Sequence, residues 1–138
     1  MKVSIALLAS VGALGLCAPA FAHHSAAMFD RDKELKLDGT IKSFGWTNPH
    51  SWIEINVTSP AGEVETWGVE CNSPNNLARM GWKSTSLKAG DKVTISVHPL
   101  RTGERGGSFM RVTWPDGRVL GETARAAPAG APPAKSQY

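Results

Sequence analysis

The sequence is poor in cysteine and in long apolar runs, and each shortage excludes a class of protein. Two cysteines in 138 residues exclude a disulfide-rich scaffold. A single apolar run, at the N-terminus, approaches the length needed to enter a bilayer, which excludes a polytopic membrane protein. The remaining composition, with 41% apolar and 20% charged residues, is that of an average globular chain, and the length fits one domain.

The apolar N-terminus has the pattern of a cleaved export signal. Lys2 precedes an apolar stretch over residues 3–16, and Ala20-Phe21-Ala22 is a small-x-small cleavage motif. We therefore predict a signal peptide over residues 1–22, a mature chain that begins at His23, and a periplasmic or secreted location.

Two alternatives to simple cleavage are disfavoured. A retained signal anchor would need a longer apolar run than one that ends at Pro19. A lipid anchor on Cys17 would need a small residue where Leu16 stands. Once Cys17 is removed, Cys71 is the only cysteine, so the mature chain forms no internal disulfide.

The positive charge of the sequence lies at its two ends. Leaving out Lys2, Arg125 and Lys135 reduces the 15 basic residues to 12, which equals the number of acidic residues, 12. A nucleic-acid-binding protein needs a clustered basic surface, so a neutral exported body argues against nucleic acid as a partner. After cleavage we expect no membrane association either.

Periodic apolar residues predict five strands and a short return strand. The alternation is clearest where Ile53, Ile55 and Val57 point to one side of the chain. The predicted strands cover residues 35–44, 52–58, 64–70, 93–98, 108–114 and, as the short return, 118–120.

Two local features of these strands are predicted as well. Gly39 interrupts the alternation of the first strand, so we expect a bulge or bend there. On the fifth strand Met110, Val112 and Trp114 share one parity, and we expect all three on the inner face.

A short helix is predicted between the third and fourth strands. Ser73 is a suitable N-cap, Pro74 suits the first helical position, and Gly81 suits the position after the last turn. Three strands, a helix and two strands are the order of an OB-fold, so we predict an all-β, OB-like, five-stranded Greek-key barrel. A β-sandwich is the alternative, which the lone helix disfavours. The domain boundaries are 23–34 for a polar lead-in, 35–122 for the barrel and 123–138 for a disordered Ala- and Pro-rich tail.

The strand order also predicts where chemically useful side chains meet. If the first, third and fourth strands run toward one pole, three connections lie there, and OB-folds use such loops to bind ligands. His50, Cys71 and His98 each stand beside one of these connections. The candidate ligand-binding loop consists of Trp46, Asn48, Trp52 and Cys71.

The mature N-terminus offers a second group of ligands. His23 supplies an α-amine and an imidazole from one residue, and His24 adds another imidazole. Neutral nitrogen ligands suit copper(II), and nickel or zinc less selectively. The extended lead-in spans about 40 Å, enough to reach the loop histidines. The predicted metal ligands are His23, His24, His50 and His98.

Each of these side chains also has an ordinary structural role open to it. Terminal histidines can be solvated and idle, His50 can hold its own loop, and His98 can be an outward strand residue. Cys71 is expected to be a small buried core residue, and the tryptophans are expected mainly in packing. The sequence has no nucleophile elbow, no phosphate loop and no well-placed pair of carboxylates, so an enzyme is not expected.

Six short motifs mark the mature sequence: His23-His24-Ser25, Phe29-Asp30, Trp46-Thr47-Asn48-Pro49-His50, Ser73-Pro74-Asn75, Leu77-Ala78-Arg79-Met80-Gly81-Trp82 and Leu87-Lys88-Ala89-Gly90-Asp91. Together they resemble an uncharacterised family of small exported bacterial proteins, a domain of unknown function. The resemblance covers nearly all of the mature domain and brings no activity with it. It singles out as motif residues His23, His24, Asn48, His50 and Glu70.

The function expected from these observations is a non-catalytic metal-binding protein, with copper as the candidate metal. The alternative is a periplasmic module that binds a small ligand or a partner protein and whose histidines are structural. A third class, a copper oxidase with a terminal-histidine site, lacks a substrate groove that can be identified in the sequence.

Overall fold

A computed structural model describes residues 26–121 of the chain. The predicted signal peptide, the terminal histidines His23 and His24, and the predicted tail lie outside the described residues. The elements in chain order are a 3-10 turn at Ala26–Met28, β1 at Leu35–Gly45, β2 at Trp52–Thr58, β3 at Val64–Glu70, α1 at Pro74–Arg79, β4 at Lys92–Pro99, β5 at Gly106–Thr113 and β6 at Val119–Gly121.

The strands form one sheet that closes into a barrel. Their order is β3-β2-β1-β4-β5-β6, and β3 also pairs with β5 in parallel, which joins the two sides of the sheet. The result is a closed five-stranded barrel with one short helix between β3 and β4, and the predicted OB-like fold is confirmed. The predicted direction of the fourth strand is wrong, because β4 pairs antiparallel with β1 and so runs away from the pole toward which β1 runs.

The core is built from the inward residues of all five barrel strands. It includes Ile53 and Ile55 of β2, Val69 of β3 and Ile95 of β4, each fully buried. This arrangement follows from the alternation seen in the sequence, since successive side chains of a strand face opposite sides of the sheet.

Two β-bulges change the parity that a simple alternation predicts. The bulge of β1 is at Lys42, because Ile41 pairs with Ile55 while Ser43 already pairs with Glu54. A bulge or bend was expected at Gly39, and the bulge lies three residues beyond it; Gly39 itself is paired with both Val57 and Val93. A single extra residue reverses the facing of every side chain that follows.

The second bulge corrects the predicted inner face of β5. Ser96 pairs with Arg111 and Val97 pairs with Phe109, which leaves Met110 as the extra residue on β5. Phe109 is consequently buried and Met110 is only half-buried. Val112 and Trp114 are buried as predicted.

The helix closes one end of the barrel. The hydroxyl of Ser73 accepts from the Asn76 N–H, Pro74 opens the helix, and Gly81 has a φ of 89° just after it. These caps are those predicted from the sequence. Beyond the helix the Trp82 ring lies 5.3 Å from Phe109, and it covers the end of the core.

The residues before β1, which we call the strap (residues 26–34), lie along the end of β4. Asp30 N–H donates to Pro99 O at 2.8 Å, and Arg101 N–H donates to Met28 O at 2.9 Å. Phe29 is buried against Leu100, its bridge partner. The strap therefore extends the sheet instead of forming a free arm. Over residues 26–121 there is no helix with the length and hydropathy needed to cross a membrane.

Candidate functional site

His50 lies in the β1–β2 connection beside the end of β3. Its Nδ1 lies 3.2 Å from the main-chain oxygen of Cys71 and 3.4 Å from Oε1 of Glu70. Both neighbours accept hydrogen bonds, so Nδ1 carries the proton and the Nε2 lone pair is left for another ligand. The side chain is 40% exposed, which keeps that lone pair accessible.

His98 of β4 has the same arrangement at a different place. Its Nδ1 donates to the main-chain oxygen of Lys33 at 2.8 Å, so β4 is joined to the strap. As in His50, the proton on Nδ1 leaves Nε2 unprotonated in the neutral ring. The two imidazoles thus present the same nitrogen, and each is held by a main-chain carbonyl.

His50 and His98 are not neighbours. They are linked only through a series of paired residues on adjacent strands. Strand pairing runs from His98 to Ser108, from Ser108 to Glu70, and from Glu70 to Trp52. His98 and Glu70 are therefore two strand spacings apart, about 10 Å. Within residues 26–121 no three metal-binding side chains come together. The structure brings His50 close to Cys71 and Glu70, and it leaves His98 on the far side of Ser108.

Cys71 faces the core and not the solvent. Its side chain is 3% exposed, and its N–H donates to Ser51 O at 2.8 Å. Ser51 is fully buried at the same end of the barrel, and within the described part of the chain its hydroxyl has no hydrogen-bond partner. A thiol in this position packs as a small apolar group.

The predicted loop tryptophans have separate surroundings. Trp46 packs edge-on against Phe44, with ring centroids 5.7 Å apart, on the core side. Trp52 points outward from β2 and is 43% exposed. Asn48 is exposed at the tip of the loop, where its bond to Pro49 is cis. The structure does not place the two indole rings together as one platform.

Glu70 contributes to the site but was not among the candidate ligands. Its side chain is 11% exposed and lies 3.4 Å from His50. On β2, its register partner is Trp52. The sequence carried a signal for this position: Glu70 is the last outward residue of a predicted strand that ends at the loop pole. Its proximity to His50, 20 positions earlier, depends on pairing that the sequence alone does not show.

A second carboxylate lies on the same outer face. Glu54 accepts a hydrogen bond from the Ser43 hydroxyl at 2.7 Å and one from Lys42 Nζ at 3.3 Å. The Ser43 hydrogen bond first, and then the Lys42 hydrogen bond and charge, hold the pKa of Glu54 below its usual value. Glu54 is therefore firmly ionised at neutral pH.

One known protein family matches this chain. The chain belongs to DUF6152, a family of unknown function, whose model matches residues 11–109. This confirms the resemblance to an uncharacterised family. No curated protein and no solved structure matches the chain.

Proposed function

We propose that the protein is an exported, non-catalytic metal-binding protein, with copper(II) as its preferred ion. The ligands are the terminal amine and imidazole of His23, the imidazole of His24, and Nε2 of His98 or His50. Nitrogen ligands of this kind favour copper(II) over zinc in the general order of divalent-metal affinity.

The observation that carries the proposal is the shared hydrogen-bonding state of the two described histidines, His50 and His98. His50 and His98 both give Nδ1–H to a main-chain oxygen, Cys71 O at 3.2 Å and Lys33 O at 2.8 Å. Metal-ligating histidines nearly always donate their second ring nitrogen in this way, because the hydrogen bond fixes the tautomer and the ring orientation. Each ring is thus prepared to bind through Nε2.

The terminal histidines are needed to complete a site. The described residues hold no group of three ligands, so the fold alone supplies too few. Ala27 lies close to the barrel, since its carbonyl accepts from Arg101 Nε at 3.1 Å. His23 stands four positions before Ala27, and this length of chain spans at most about 14 Å. The amine of His23 can therefore lie up to about three strand spacings from Ala27.

Isothermal titration with copper(II) tests the proposal on the untagged mature chain and on the same chain with one glycine added before His23. The added residue converts the primary amine to an amide, so we expect affinity to fall at least tenfold. Affinity should also fall as pH drops through about 8 to 6.5, where the amine and imidazoles take up protons. Equal affinity of both forms would contradict a role for the amine.

Single substitutions then separate the contribution of the fold from that of the terminus. His23→Ala removes an arm of the chelate, while His98→Ala and His50→Ala each remove one imidazole supplied by the barrel. We expect His23→Ala and at least one of the other two to weaken binding. If the intact chain binds copper(II) no more tightly than a short His-His peptide, the barrel contributes nothing and the proposal fails.

A second candidate function is supported by a different observation. Trp52 exposes 43% of its surface on the outer side of β2, the face and strand that OB-folds use for ligands. This favours a binding module for a partner protein, with the histidines in structural roles.

A further inference from the structure

Trp52 is the only exposed tryptophan among the five, all of which lie within residues 26–121. Its register partners on the two neighbouring strands are Glu70 of β3 and Gly45 of β1. The residue beside Trp52 on β3 therefore carries a carboxylate, and the residue beside it on β1 is a glycine. Glu54, two residues along β2, adds a second carboxylate to this face. We call Trp52, Glu54 and Glu70 the outer patch.

Glu70 differs from the other paired carboxylates of the protein. Within the described residues, its charged partner is His50, which is charged only when protonated. In the same part of the chain, carboxylates that pair with a lysine or arginine are Asp30, Glu34, Glu54, Glu65 and Asp116. Glu70 is also only 11% exposed, so little solvent compensates its charge. The outer patch thus carries an unbalanced negative charge beside an exposed ring.

A second tryptophan of this protein has both a carboxylate and an arginine beside it. Arg118 lies over the Trp114 ring, 4.1 Å from its centroid, and its Nε is 3.9 Å from Asp116. Trp114 is 7% exposed. A guanidinium therefore stacks on a tryptophan and pairs with a nearby carboxylate at one site, whereas at the outer patch the ring and the carboxylate have no arginine in the described residues.

We infer that the outer patch binds an arginine side chain of a partner protein, with the guanidinium stacked on Trp52 and paired with Glu70. Arginine suits both contacts at once, because its planar group stacks on aromatic rings and donates in a fixed fork to carboxylates. Tryptophan and arginine are also enriched among the residues that dominate protein interfaces. The inference does not depend on metal binding.

The shape of the surface favours a protein partner over a small ligand. The outer patch lies on the outward side of β2 and β3, away from the core, and small-molecule sites are usually concave. Gly45 is paired with Trp52 and Gly68 with Glu54, so no side chain projects from the surface at either glycine. A Cβ at Gly68 would meet no atom within 4 Å. An extended segment of a partner can therefore approach the two strands closely.

Nuclear magnetic resonance of the mature full chain tests this inference, with EDTA present to remove any metal. The probes are the capped tripeptide acetyl-Gly-Arg-Gly-amide and its citrulline analogue, which has the same shape without the charge. We expect the arginine peptide to shift the indole N–H resonance of Trp52 saturably, and the citrulline peptide to have no such effect. Trp52→Phe identifies that resonance by its loss.

Glu70→Gln should weaken arginine-peptide binding about tenfold, the usual cost of losing a charge-assisted pair. Glu63→Gln is the matched control, since it removes one charge at the opposite end of β3 and should leave binding unchanged. Equal binding of the two peptides, or an unchanged affinity in Glu70→Gln, would overturn the inference. So would methylguanidinium binding as tightly as the peptide, which would assign the patch to a small cation. A shift of the Trp52 resonance caused by Arg125→Gln alone would also overturn it, because the chain's own arginine would then be the occupant.

Discussion

His98 donates its Nδ1–H to the main-chain oxygen of Lys33 across 2.8 Å, and this bond spans 65 positions of the sequence. It fixes the strap to β4 next to the two main-chain hydrogen bonds of Asp30 and Arg101. The side chain of Asp30 adds contacts to Lys33 at 3.1 Å and to Arg101 at 3.7 Å. Glu34, at the other end of the strap, also pairs with Arg111 of β5. The strap is therefore held by one imidazole, two carboxylates and its own backbone.

His98→Ala should loosen the strap while the barrel stays folded. Losing one hydrogen bond of about 1 kcal/mol should speed amide exchange of Asp30 and Arg101 about fivefold. Hydrogen exchange followed by nuclear magnetic resonance measures this directly, and the amide of Ile95 in the core reports global stability. His50→Ala is the control, and it should leave the strap amides unchanged. Equal acceleration by both variants would mean that His98 does not hold the strap.

Ser51 provides a test of a buried polar group. Its hydroxyl is fully buried and lacks a hydrogen-bond partner within residues 26–121. Ser51→Ala removes that group without removing a contact, so it should leave the free energy of unfolding unchanged or raise it by up to about 1 kcal/mol. Ser43→Ala is the matched comparison. Its hydroxyl donates to Glu54 at 2.7 Å, and its loss should cost about 1 kcal/mol. Urea denaturation of both variants checks the difference, and a clear destabilisation by Ser51→Ala would show that the hydroxyl has a partner.

Much of the fold could be predicted because it depends on local patterns. Sequence and structure agree on the bounds of β2 and β3, because β2 alternates apolar and polar residues from Ile53 onward and β3 has Trp67 and Val69 at inward positions. The helix was predicted from its caps at Ser73 and Gly81. These signals act over a few residues and need no knowledge of the rest of the chain.

What could not be predicted depends on pairing between distant strands. The bulges at Lys42 and Met110 arise where two strands with different curvature must stay in register around a closed barrel. The contact between His50 and Glu70 likewise follows from the pairing of β2 with β3. The strap was predicted as a polar lead-in, because its one buried side chain, Phe29, gives no periodic signal.

The pKa of Glu54 leads to a prediction about acid stability. Hydrogen bonds from Ser43 and Lys42 lower this pKa in the folded state. A carboxyl group with a lowered folded pKa stabilises the protein above its unfolded pKa, and that contribution is lost as pH falls through the folded value. Glu54→Gln should therefore be less stable than the natural protein at pH 7, and the gap should close as pH falls below about 4. Urea midpoints at pH 7, 5 and 3 measure the gap. A gap of constant size over this range would show that ionised Glu54 adds no stability.

Gly39 provides the sharpest test of the barrel geometry, because a side chain there would collide with the backbone of β2. A Cβ at Gly39 would overlap the main-chain oxygen of Asn56 and stand 2.9 Å from Ile55 Cγ1. The main-chain oxygen belongs to a paired strand and cannot move aside without breaking its register, so Gly39→Ala should cost at least about 2 kcal/mol. Gly68→Ala is the matched control in β3, where a Cβ would meet no atom within 4 Å, and its effect should stay within about 0.5 kcal/mol. Equilibrium urea denaturation of the two variants gives both values. Similar stabilities would mean that β1 does not cross Asn56 at this distance, and the closed barrel with its observed β1–β2 register would be wrong.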